Sequence, residues 1–173
     1  LDRAVTDGVF PGAVLAVRCG DRPVSRFHAG HLSTVPPGSL VSTSTVYDLA
    51  SLTKPLATVT ALVLLTQAGS CRLEDRVADH LSECADAFIG SATIRHLLTH
   101  SSGLPAWRGF YEQLIPDGAI PSSAGEREQA KRAMLRLIQS ETLVYERGTR
   151  NLYSDLGFML LGFIIERVSG QSL

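Results

Sequence analysis

Lysine is scarce in this chain: Lys54 and Lys131 stand against fourteen arginines. Long hydrophobic runs are missing as well. The most apolar stretch, residues 156–165, is about half of what a bilayer span needs, which argues against a membrane-spanning segment. Charge of one sign is absent: the formal net charge is −1 and the pI about 6.6. No basic stripe points to nucleic acid, and no acidic block to a disordered tail. Cysteine is limited to Cys19, Cys71 and Cys84, an odd number with no CxxC spacing. A disulfide framework is therefore not expected, although one bridge plus a free thiol stays open; a reducing compartment, cytoplasmic rather than periplasmic, is favoured. There is no initiator methionine and no charged-then-apolar leader, and the chain starts at Leu1 as if cut from something longer. No GxSxG elbow occurs, which argues against an α/β-hydrolase. Repeats and low-complexity tracts are also lacking.

What is present suits a globular fold: 173 residues, 45% apolar and 19% charged, enough to bury a real core within one domain. Residues 12–18 form a short run of strand formers, residues 19–22 carry turn chemistry, and residues 23–30 alternate roughly; together they predict a β-hairpin. Residues 31–45, with Pro36, Pro37 and Gly38, read as a loop, and residues 46–50 as a brief extended segment. Pro55 fits only a helix's first turn, so a helix starts near residues 51–53, runs through Leu56, Val59, Leu62, Val63 and Leu65, and stops at Gly69. Its mostly apolar surface predicts burial. A short helix follows over residues 94–98. Residues 104–125 form a long irregular stretch with Trp107, Phe110 and Tyr111. Helices are expected over residues 126–140 and 155–169, the last closed by Gly170. Strands first and helices later make an α+β pattern, not alternating βαβ units.

The rare Lys54 lies three residues after Ser51, at the expected helix start, where the two side chains share a face. A serine hydroxyl is a weak nucleophile until a neighbour takes its proton. Lysine does this only when neutral, which requires lowering its pKa by roughly three units, or about 4 kcal/mol. Burial and nearby cations act in that direction, and arginine cannot serve at all. Ser is also a common helix cap and Lys a common surface residue, so the spacing alone does not decide.

The surroundings decide more. Residues 51–55, Ser-Leu-Thr-Lys-Pro, are similar to the nucleophile motif of the serine β-lactamase and penicillin-binding-protein superfamily. Residues 94–105, Ile-Arg-His-Leu-Leu-Thr-His-Ser-Ser-Gly-Leu-Pro, resemble a signature of its class C-like branch, which holds β-lactamases, esterases, D-aminopeptidases and D,D-carboxypeptidases. Residues 153–155, Tyr-Ser-Asp, look like its second motif, Tyr-x-Asn. The resemblance implies a β-lactamase/transpeptidase-like fold, an antiparallel sheet flanked by helices plus a helical subdomain. Residues 1–173 would be the N-terminal portion of one such domain, since no match to the family's third motif, Lys-Thr-Gly or His-x-Gly, is found.

By that resemblance Ser51 is the acyl-accepting nucleophile, Lys54 its base and Tyr153 a second proton carrier. Asp155 departs from Asn: an ionised carboxylate only accepts hydrogen bonds, and near Lys54 it would raise the lysine's pKa. Either Tyr153 then carries more of the base role, or Asp155 points elsewhere. Asp155, Trp107 and Tyr111 are the candidate substrate-binding residues. His96 and His100 sit four apart, but no HExxH pattern accompanies them and no metal is expected. The expected activity is acyl transfer and hydrolysis on a small ester or amide, with no cofactor, no nucleic-acid partner and an open oligomeric state. The alternative is an impaired scaffold serving as a sensor or interaction domain.

Overall fold

A computed structural model describes residues 1–35, 38–115 and 118–172, so the expected loop prolines Pro36 and Pro37 lie outside the described residues. The chain divides into two compact units, Leu1–Leu49 and Ala50–Leu173.

The first unit holds α1 (Asp2–Thr6), which the sequence pattern did not reveal, and the expected hairpin of β1 (Gly12–Val17) and β2 (Ser25–Gly30). The strands pair antiparallel from Gly12↔Gly30 to Val17↔Ser25. Gly30 closes the pairing with a φ of +79°, and a Cβ there would lie 2.1 Å from the Pro11 carbonyl oxygen. Only glycine fits both the left-handed backbone and that approach. Residues 46–49 join no strand pairing.

The second unit begins with a 3₁₀ turn (Ala50–Leu52), passes into a π-helical turn (Lys54–Val59) and continues as α2 (Thr60–Gln67). Pro55 sits within the first two positions of the π-helical turn, where its missing N–H breaks no ladder. Gly69, φ +72°, ends the helix as expected. Burial of this helix fails, however. Only Leu62 is buried, while Leu56, Val63 and Leu64 stand about half exposed or more, although α2 packs on α7.

Three further short helices follow: α3 (Val77–His80), α4 (Ile94–Leu98) and α5 (Phe110–Leu114). The last interrupts the stretch expected to be irregular, anchored by buried Phe110. Two longer helices complete the unit, α6 (Ala124–Gln139) and α7 (Asp155–Ser169). Ser123 caps α6, its hydroxyl accepting the Glu126 N–H at 3.2 Å while the Glu126 carboxylate accepts the Ser123 N–H at 3.0 Å. That reciprocal pair satisfies two otherwise orphaned donors.

α7 is the organising element. Leu156, Leu160, Leu161 and Ile164 are fully buried, and the helix packs on α2, α3 and α4. Each such aliphatic side chain contributes about 1.5–3 kcal/mol by leaving water. Val77, Leu81, Cys84, Ile89, Ile94, Leu97, Leu104 and Ile138 join it in one core. All three cysteines are free thiols. No helix among the described residues is long and apolar enough to cross a membrane.

Candidate active site

The N-terminus of α7 is where the site is assembled. Ser154 caps the helix: its hydroxyl accepts the Gly157 N–H at 3.3 Å and donates to the Pro105 carbonyl at 2.8 Å. The Asp155 N–H donates to the Ala106 carbonyl at 2.9 Å. These bonds fix the backbone on both sides of Tyr153 and Asp155, and they tie residues 105–106 to the same helix end. An acidic residue in the first turn also complements the helix dipole.

Lys54 reaches that helix end from the π-helical turn. Its Nζ donates to Asp155 Oδ1 at 2.6 Å and lies 4.9 Å from the Tyr153 ring centroid and 5.6 Å from that of Phe158. The Tyr153 phenol lies near enough to Lys54 and Ser51 for both to act on its ionisation. Four of the expected residues, Ser51, Lys54, Tyr153 and Asp155, therefore meet. Ser51 occupies the 3₁₀ turn rather than the helix proper. It follows Ala50, whose φ of +43° is unusual for a residue with a Cβ.

The electrostatics depart from the expectation of a neutral lysine. Burial alone would lower the Lys54 pKa, but the hydrogen bonds and charges of Asp155 and Tyr153 outweigh it and hold the ammonium above its ordinary 10.5. Tyr153 moves the opposite way. Its hydrogen bonds to Lys54, and then to Ser51, lower its pKa below the ordinary 10.0. Of the two arrangements left open for Asp155, the one in which it faces the lysine is present. The group made easier to deprotonate is the phenol, not the amine.

Trp107 and Tyr111 pair with each other, ring centroids 6.3 Å apart, and both are half exposed. Trp107 follows Ala106, the acceptor of the Asp155 N–H, so its loop is anchored at the site's edge. The two histidines serve separate partners. His96 lies within α4 and its Nδ1 accepts the Thr93 N–H at 3.1 Å. His100 lies past the helix end with a φ of +55°, and its Nδ1 accepts the Ser154 N–H at 3.1 Å. The change of backbone hand after Thr99 takes them off the common helical face that four-residue spacing suggested. Phe158 also belongs to the site and was missed. It follows Asp155 by three residues, a spacing that places both on one helical face.

A hairpin, a helical unit and a serine, lysine and tyrosine gathered at one helix end define a chain of the serine β-lactamase and penicillin-binding-protein type. The beta-lactamase family model matches residues 1–173, and the chain belongs to that family. Over 138 residues it is 38% identical to an Escherichia coli (strain K12) protein named as a D-alanyl-D-alanine carboxypeptidase, covering 76% of this chain and 30% of that protein. It is 32% identical over 185 aligned positions to an N-acetylmuramyl-L-alanine amidase of Bacillus subtilis (strain 168), covering 100% of this chain and 40% of the relative. Among solved structures, a class C beta-lactamase from Rhodobacter sphaeroides superposes with a TM-score of 0.69 at 26% identity, covering 98% of this chain and 43% of that one. The chain thus spans about a third of the length of these curated relatives.

Proposed function

We propose that the protein is a serine hydrolase that works through an acyl-enzyme on Ser51. The observation that carries this reading is the meeting of Lys54, Asp155 and Tyr153 at one helix end, with Lys54 Nζ 2.6 Å from Asp155 Oδ1 and 4.9 Å from the Tyr153 ring centroid, and with Ser51 and Lys54 both acting on the phenol. In the first step the phenolate of Tyr153 takes the Ser51 hydroxyl proton as the oxygen attacks the substrate carbonyl carbon. The ammonium of Lys54 stays charged throughout and stabilises the phenolate. The tetrahedral adduct collapses as Tyr153 returns that proton to the departing amine or alkoxide, leaving an ester on Ser51. Water then attacks the ester, Tyr153 again relaying the proton, and the acid leaves with the serine restored. Proton relay of this kind contributes about 10²–10⁴ in rate.

Small esters or amides, D-amino-acid peptides included, suit the site better than β-lactams. An ionised Asp155, held by Lys54, has no proton to donate to a substrate carbonyl, whereas Asn would have one. The relatives named as a carboxypeptidase and an amidase support an amide substrate. Trp107 and Tyr111 would border the acyl group.

The decisive experiment treats the full-length folded protein with a fluorophosphonate and maps the adduct by peptide mass spectrometry. An adduct on Ser51 that is lost in Ser51→Ala supports the hydrolase. A folded protein that takes no label would instead be a ligand-binding or interaction scaffold. The 2.6 Å pairing of Lys54 with Asp155 favours that second reading, because it occupies the lysine that a conventional base mechanism requires free.

A further inference from the structure

His100 touches Tyr153 and grips the backbone beside it, yet it takes no part in the chemistry above. Its ring centroid lies 4.6 Å from that of Tyr153 and 5.0 Å from that of Phe158. Nδ1 accepts the N–H of Ser154, the residue between Tyr153 and Asp155, at 3.1 Å. Its carbonyl accepts the Leu152 N–H at 2.8 Å and the Tyr145 hydroxyl at 2.9 Å. Three hydrogen bonds thus run from one residue to residues 145–154, on both sides of the phenol. All of this is held at φ +55°, a left-handed backbone that residues with a Cβ seldom adopt. Strain of that kind persists where the surroundings over-determine it.

We propose that His100 is a positioning residue, holding the Tyr153 phenol against Ser51 and Lys54, and that it does so only as a neutral imidazole with its proton on Nε2. The proposal rests on the hydrolase reading for its consequence in rate, though not for its geometry. An Nδ1 that accepts an N–H carries no proton of its own. Protonation would aim a second donor at the Ser154 N–H and release the cap of α7 next to the phenol. The groups facing the ring disfavour that charge. Lys54 presents an ammonium from the π-helical turn, and Tyr153 and Phe158 present rings from the start of α7. Tyr145 engages only the carbonyl, and the Asp155 carboxylate opposes Lys54 but is itself paired with it. Burial first and the Lys54 charge second push the imidazole below its ordinary 6.5. The state that binds Ser154 is therefore the one present at neutral pH.

The test uses the full-length protein and the pH dependence of Ser51 labelling by a fluorophosphonate. One required deprotonation, that of Tyr153, gives a slope of one in log rate against pH. The proposal expects that slope to steepen to two in the acid range where His100 protonates. His100→Asn places an amide oxygen near the position of Nδ1 and tolerates a left-handed backbone. It should label within a few-fold of the wild type at neutral pH and keep a slope of one throughout. His100→Ala should label about 10–100-fold more slowly, the scale expected when a reacting group is misplaced by about 1 Å. In a second measurement, independent of turnover, the ¹³Cζ titration of Tyr153 should move toward the free-phenol value in His100→Ala but not in His100→Asn. If the slope stays at one in the wild type, or if the Tyr153 titration is the same in all three proteins, the proposal is wrong. A wild type that never labels refutes the hydrolase reading, while the Tyr153 titration still decides the role of His100.

Discussion

Replacing Asp155 with Asn tests the charge arrangement directly, because it keeps the side-chain shape and removes one charge. Lys54 Nζ and Asp155 Oδ1 are 2.6 Å apart, with the side chains 17% and 33% exposed. A hydrogen bond between charged groups contributes about 1.5–3 kcal/mol net, and a fully exposed pair about 0.2–1. This partly buried pair should contribute about 1.5–2.5 kcal/mol, between those two limits. Asp155 raises the pKa of Lys54, so its loss lowers it. The Asp155 charge also raises the pKa of Tyr153, so the phenol falls too, by less.

Two consequences follow. Ester hydrolysis rising with Tyr153 deprotonation and falling with Lys54 deprotonation should shift as a whole toward lower pH in Asp155→Asn. A raised lysine pKa stabilises the fold below the ordinary 10.5 and loses that contribution as pH climbs through the folded value, so the variant should be less stable than the wild type at neutral pH and the difference should shrink at alkaline pH. The scarcity of lysine makes the assay clean. In a sample labelled with ¹³C at lysine Cε, residues 1–173 contribute two resonances, Lys54 and Lys131, and Lys131, paired with Glu166, serves as the internal control. If the Lys54 resonance titrates at the same pH in wild type and variant, the charge assignment fails.

Other outcomes can be checked separately. Leu160→Ala removes a fully buried side chain of α7 and should cost about 2–5 kcal/mol, read by chemical denaturation; a cost under about 1 kcal/mol would mean that α7 does not organise the core. Gly103→Ala should destabilise by about 1–3 kcal/mol, since φ is +89° and the new Cβ would lie 2.8 Å from the Tyr145 carbonyl oxygen; an unchanged melting curve contradicts that strain. Glu126 is held down to about 2 by the backbone N–H groups of Ser123 and Ser122, so the cap of α6 should be intact above the ordinary carboxylate value of 4.5 and lost as pH falls toward 2, with Glu126→Gln removing that dependence of amide exchange in α6. Lys54→Arg keeps the positive charge and should leave the Tyr153 ¹³Cζ titration below the free-phenol value; a return to that value would show that charge alone does not explain the shift.

Much of the local structure was legible because it follows from backbone chemistry. The hairpin at residues 12–30, the helix ended by Gly170 and the turn containing Pro55 each rest on residues with few conformations available. The family resemblance placed Ser51, Lys54, Tyr153 and Asp155 as a group, and they do meet. What could not be read were features set by tertiary partners. α3 is four residues long, too short to show a period. α5 is held by a single buried aromatic, Phe110. The exposure of α2 depends on what packs against it, which its apolar composition does not specify. For His100 the spacing shows only a histidine four residues after another, while the left-handed φ that separates them is visible only once the backbone is placed.

The preference for lysine at position 54 must also be explained differently from the way the sequence suggested. Lysine, unlike arginine, can become neutral, yet Asp155 and Tyr153 favour the ammonium here. Shape distinguishes it from arginine just as well. An ammonium is a compact point charge with three rotatable donors, whereas a guanidinium is a planar fork with fixed donor directions. Here one Nζ binds Asp155 at 2.6 Å and lies 4.9 Å and 5.6 Å from the ring centroids of Tyr153 and Phe158. A planar fork docked on Asp155 would have to extend into the space between those rings. The site then uses lysine to hold a cation beside a phenol, and in the proposed mechanism the proton acceptor for Ser51 is the phenolate that this cation would stabilise.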